Sequence, residues 1–77
     1  MGKRAFKYDK VLTRKFGEKI FFLRKSLGLT QDELAFRAGI SSSYLSSIER
    51  GITDTTISTV KRLAKALGVS IPEIFMF

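Results

Sequence analysis

Five serines fall within seven consecutive positions, Ser41, Ser42, Ser43, Ser46 and Ser47, with Tyr44 among them and Arg50 three residues further on. Hydroxyls at this density suit two kinds of chemistry. A serine is a nucleophile when a base takes its proton, and otherwise it donates and accepts hydrogen bonds on a polar ligand. The first route needs a partner that the composition withholds, since the chain contains no histidine and no cysteine. Without them the usual zinc sites, Cys–His pairs and Ser–His–Asp triads have no components. We therefore expect no catalysis, no metal and no cofactor. Hydrogen-bond recognition remains, set against the plainer alternative of a solvated, low-propensity helix surface.

The elements around the serines decide between these. Thr30 and Glu33 form an S/T-x-x-E capping box that opens a short helix through Ala38, and Gly39 breaks it. Ser41 is placed to cap a third helix, Ser42 to Arg50, which stops at Gly51. Leu34 and Ala38 turn inward from the first of these helices, with Ala35 where the two approach most closely. Ile40, Leu45 and Ile48 close the core from the second, which leaves the serines on other faces. Two short helices across a tight turn, the second half apolar and half polar, fit a helix-turn-helix whose second helix enters the major groove.

The flanking elements complete a bundle. Asp9 caps a helix that runs to about Leu27, with Phe16, Ile20, Leu23 and Leu27 on one apolar stripe and Gly28 as the stop. Ile52 to Thr55 is turn-like. Thr56 then caps a fourth helix carrying Ile57, Val60, Leu63, Ala64 and Leu67 on one face, ended by Gly68. Ser70 begins a last short turn in which Pro72 is tolerated, because early helical N–H groups lack an intrahelical acceptor. No segment alternates like a strand. The expected fold is all-α, a five-helix bundle, with residues 1–8 as a basic arm and 9–77 as one domain.

The run GLTQDELAFRAGISSSYLSSIERG resembles the lambda-repressor/Cro-type (XRE) helix-turn-helix family. Its pattern of G-[LM]-[ST]-Q-x-x-L-A-x-x-[AS]-G-[IL] and a closing I-E-x-G is present throughout. The similarity extends over roughly Thr13 to Phe75. Within that family the short length and YLSSIERG resemble the controller proteins of restriction–modification systems. The resemblance implies a lambda-repressor-like DNA-binding domain that regulates transcription from a pseudo-palindromic operator. It implies base reading by Ser42, Ser43 and Ser47, with Ser46 near enough to join. It places Gln31 on a DNA phosphate at a helix start, where exposed N–H groups attract anions. Ser41, Tyr44 and Arg50 are expected on the DNA backbone. Arg24 and Glu49 are expected as a structural ion pair, with a phosphate contact as a second role for Arg24. Serine reaches a short distance and pairs with donors or acceptors, so specificity is expected to lean on water-bridged contacts and DNA shape.

Charge agrees with a polyanionic partner: 14 Lys and Arg against 7 Asp and Glu, a formal +7. The excess sits at the front, where Lys3, Arg4, Lys7, Lys10, Arg14, Lys15 and Lys19 face only Asp9 and Glu18. Lys61, Arg62 and Lys65 read as a solvated face of the fourth helix. Double-stranded DNA is thus the expected partner, with no small-molecule effector indicated. A cytoplasmic location is expected, because no stretch approaches the roughly 20 apolar residues of a membrane span and no secretory signal is evident. The basic first helix could lie on an anionic membrane, but its apolar stripe is needed by the bundle.

Two apolar features exceed what a small core needs. Phe21 and Phe22 lie to either side of the first stripe, and Phe6, Tyr8 or Leu12 is expected to pack over one of them. The C-terminus, from Val69 to Phe77, is too apolar for a frayed tail. Ile71, Ile74, Phe75 and Phe77 are expected to form a homodimer interface across a two-fold axis. The competing functional reading is an antitoxin-like or other protein-interaction module in which DNA binding is secondary.

Overall fold

A computed structural model describes residues 9–77, which form five helices: α1 Lys10–Ser26, α2 Gln31–Ala38, α3 Ser42–Glu49, α4 Ile57–Leu67 and α5 Ile71–Ile74. Each begins at a side chain that accepts from its first backbone N–H groups. Asp9 accepts from Val11 and Leu12 at 3.0 Å, Ser41 from Tyr44, Thr56 from Thr59, and Ser70 from Glu73. The α2 cap is reciprocal: Glu33 N–H donates to Thr30 Oγ1 at 3.1 Å and Thr30 N–H donates to Glu33 Oε1 at 2.8 Å. These bonds span two or three residues, so the helix starts follow from local sequence. Residues 1–8, and with them the expected packing by Phe6 or Tyr8, lie outside the described residues.

The core gathers Phe16 and Ile20 of α1, Leu34, Ala35 and Ala38 of α2, Leu45 and Ile48 of α3, and Val60, Leu63, Ala64 and Leu67 of α4. Three expectations about it need correcting. Leu27 is 53% exposed, because it is the C-cap of α1 and lies past the helices that cover the stripe. The buried face of α1 is instead turned toward Thr13, Gly17 and Arg24. Ile57 is 86% exposed at the first turn of α4. Ile74 is fully buried, so it closes the monomer core and cannot be part of an exposed dimer surface, whereas Ile71 and Phe75 are each 40% exposed and Phe77 is 53% exposed.

Helix α1 meets the end of α3 at backbone distance. A Cβ on Gly17 would overlap the Ile48 carbonyl oxygen and lie 2.9 Å from that of Glu49. One turn earlier, a Cβ on Gly51 would lie 2.7 Å from the Arg14 Cα. Two backbones therefore touch with nothing between them, which explains a helix-weakening glycine in the middle of α1. Phe21 and Phe22 stay 46% and 63% exposed. Leu12 lies about 13 Å along the axis from Phe21 at 1.5 Å per residue, and it lines a groove with Phe16, Ile57 and Phe75 instead. The Phe21 ring is met by cations, with Arg24 Cζ at 5.2 Å and Lys25 Nζ at 5.9 Å from its centroid.

Gly17→Ala forces α1 and α3 apart and should destabilise the domain by about 1–3 kcal/mol, read as a lower Tm; an unchanged Tm would contradict the contact. Glu33 titrates below its ordinary value, held there first by the Thr30 N–H and then by the Thr30 side chain. A depressed carboxyl stabilises the fold above its unfolded pKa and loses that contribution as pH falls through the folded value. Wild type should therefore melt above Glu33→Gln near neutral pH, with the gap closing as pH falls through the folded carboxyl's titration.

Candidate nucleic-acid interface

At roughly 100° per residue, Leu45 and Ile48 set the inward side of α3 and place Ser43, Ser46, Ser47 and Arg50 on the opposite side. Burial follows that division. Leu45 and Ile48 are buried, Ser43 and Arg50 are exposed, and Ser46 and Ser47 are half-buried. Arg50 caps the helix, with its Nε donating to the Ser46 carbonyl at 3.4 Å. A row of short polar groups ending in a cation thus runs along the open side. Tyr44 lies elsewhere: it is half-buried and packs against the core.

Two consecutive residues at the start of α2 reach opposite ends of α3. Gln31 Nε2 donates to Glu49 Oε1 at 2.9 Å, while Asp32 Oδ1 accepts from Ser42 Oγ at 2.5 Å. The first turn of α2 thereby lies across α3, and the Gln31 and Asp32 N–H groups at its start have no intrahelical acceptor. Ser41 Oγ accepts from Tyr44 N–H at 3.0 Å, which leaves its own proton free to donate.

Arg24 does not join this surface. Its side chain is 8% exposed, and its guanidinium donates to both Glu49 oxygens at 2.7 and 3.0 Å and to the Leu29 carbonyl at 2.8 Å. The expected ion pair is therefore present, but a phosphate contact by Arg24 is corrected: its fork is turned inward onto Glu49 and the Leu29 carbonyl. Two residues from two helices, Arg24 of α1 and Gln31 of α2, hold Glu49, whose side chain is 4% exposed. Among the described residues no buried side-chain polar atom lacks a partner. Sequence reasoning did not find Asp32 or the bond from Gln31 to Glu49, because neither has a local signal. Gly17 had one, as a glycine inside an apolar helix pattern.

Away from α3, Lys61, Arg62 and Lys65 are exposed on α4. Arg37, Arg62 and Lys65 line an open groove with Phe36, which is 86% exposed. Among the described residues, no group of acidic side chains is arranged to hold a metal and no helix is long and apolar enough to cross a membrane.

Residues 20–74 match a family model described as helix-turn-helix. The chain is 48% identical over 58 residues to the uncharacterised HTH-type transcriptional regulator y4dJ of Sinorhizobium fredii, covering 75% of each. It is 33% identical over 63 residues to the control protein C.BamHI of Bacillus amyloliquefaciens, covering 80% of this chain and 78% of that one. Among solved structures it is similar to the restriction–modification controller protein C.AhdI of Aeromonas hydrophila. The TM-score is 0.80 with 36% identity, over 82% of this chain and 96% of that one.

Removing Glu49 as an acceptor strands the buried Arg24 charge. Glu49→Ala should cost about 3–5 kcal/mol, enough to unfold a marginal domain of this size. Arg24→Met with Glu49→Leu should recover most of the loss, because the desolvation cost of both charges disappears with them. Thermal melts of the two variants check this, and a double variant no better than Glu49→Ala would be the contrary result.

Proposed function

This chain belongs to the helix-turn-helix family, and on that premise we propose that it regulates transcription by binding a pseudo-palindromic operator in duplex DNA as a homodimer. The observation that carries the reading is the open side of α3, where Ser43, Ser46, Ser47 and Arg50 stand opposite the buried Leu45 and Ile48. A helix held by one side and polar on the other is what a major groove about 12 Å wide admits. The inward packing of Leu45 and Ile48 supports a rigid reader that is not rearranged on contact.

In this reading the serine row reads base edges. The first turn of α2 with Gln31, the Ser41 hydroxyl and Arg50 position the helix on phosphates, with Tyr44 contributing from the side of α3. Gln31 keeps its backbone N–H and its second Nε2–H for this task while the first Nε2–H is donated to Glu49. The second protomer docks on the exposed apolar surface of Ile71, Phe75 and Phe77. Leu12 and Ile57 stand with Phe75 around a groove of about 190 Å³ beside it. Two α3 helices then meet successive turns of one face of the duplex, about 34 Å apart. Control of restriction–modification genes is the specific role, supported by the similarity to C.BamHI and C.AhdI. The protein acts in the cytoplasm, where that DNA is.

Selection from random duplexes followed by gel shifts tests this. Wild type should enrich inverted half-sites about one helical turn apart. Arg50→Ala should weaken binding evenly across sequences and flatten the salt dependence by about one unit of slope. Phe75→Ser with Phe77→Ser should remain helical but sediment as a monomer and lose the two-half-site complex. Failure of wild type to bind any duplex at low salt would defeat the proposal.

A further inference from the structure

Ser42 opens α3, and the N-terminal residues of a recognition helix are those that meet base edges. Its hydroxyl is not free to rotate. Its one proton is donated to Asp32 Oδ1 at 2.5 Å, the length of a charge-assisted O–H···O⁻ bond, which is about twice as strong as a neutral one. A hydroxyl carries one proton and two lone pairs, and a carboxylate carries lone pairs only. Once joined, the two side chains show a ligand acceptors and nothing else.

We propose that Asp32 and Ser42 act as one acceptor-only reader that admits cytosine or adenine at the base edge it faces and excludes guanine and thymine. The proposal rests on α3 being the DNA-reading helix. In the major groove the donors are the N4 amino group of cytosine and the N6 amino group of adenine, whereas guanine N7 and O6 and thymine O4 only accept. A free serine turns its proton toward either kind, so it discriminates little. Asp32 removes that freedom and adds its own negative charge against acceptor atoms. Asp32 thus acts as a positioning residue that makes a permissive side chain selective. It also sits in the first turn of α2, where the helix N-terminus favours an anion and offsets part of its repulsion from DNA.

The test is selection from random duplexes with wild type, Ser42→Ala, Asp32→Ala and Asp32→Asn, each checked for helicity first. Ser42→Ala should erase the preference at one position in each half-site and so identify it. Wild type should favour cytosine or adenine there by about fivefold or more. Asp32→Ala frees the serine proton, and Asp32→Asn keeps the size but adds a donor. Both should raise guanine or thymine at that position to within about threefold of the favoured base, while the other half-site positions hold. Three results overturn the proposal: wild type favouring guanine or thymine at that position, Ser42→Ala changing no position, or both Asp32 variants keeping the wild-type preference. If wild type enriches no duplex at all, the DNA-binding reading falls and takes this proposal with it; the first three results leave that reading standing.

Discussion

Glu49 accepts hydrogen bonds from Arg24 of α1 and Gln31 of α2 while belonging to α3 itself, and its carboxylate is almost wholly shielded from water. Every element that could meet DNA is referenced to this one group. A buried ion pair is weak evidence for stability, since desolvating two charges consumes most of their attraction. Its geometry is nonetheless demanding. The guanidinium fork meets both carboxylate oxygens in one orientation, and its remaining reach ends on the Leu29 carbonyl just before α2 begins. An apolar contact in the same place would tolerate sliding, whereas this one is made in a single register.

Gly17 sets the distance that the charged pair then fixes in direction. With no side chain between α1 and the last carbonyls of α3, the helices approach to backbone contact, which brings Arg24, two turns further along α1, within reach of Glu49. Helix α3 is thus held at its C-terminal end by backbone contact and charge, along its length by Leu45 and Ile48, and at its N-terminal end by Asp32. Short side chains on its open face benefit most from such support. A serine has little reach of its own, so the position of its hydroxyl is set by the backbone.

The remaining surface is uneven in a way that composition alone does not reveal. Positive charge is spread over α1 and α4, while the apolar excess gathers where α5 and the last residues meet α1. There Phe75 packs on Phe16 with ring centroids 5.4 Å apart and Phe77 lies 6.3 Å from Phe75. Lys19 ties the Met76 carbonyl to α1 at 3.1 Å. The C-terminal segment is therefore anchored to the bundle rather than trailing from it, yet it leaves aromatic area exposed. Phe21 is a different case, since Arg24 and Lys25 lie over its ring and its exposure needs no second protomer.

Most of the fold was legible in the chain because most of it is decided within a few residues. The caps at Asp9, Thr30, Ser41, Thr56 and Ser70 and the left-handed stops at Gly28, Gly39, Gly51 and Gly68 are local events. The spacing of Leu34, Ala35, Ala38, Leu45 and Ile48 marks inward faces in the same way, and so the open side of α3 could be read before any coordinate. Periodicity reports a direction around a helix and carries no information on where a neighbouring helix ends. That is why Leu27 and Ile57 proved exposed and Ile74 proved buried. Nor does spacing along the chain say which side chains meet across helices. The bonds from Ser42 to Asp32 and from Gln31 to Glu49 join residues 10 and 18 positions apart. Only the packing of α1, α2 and α3 brings those atoms together, and with them the distinction between a serine that pairs with anything and one that can only accept.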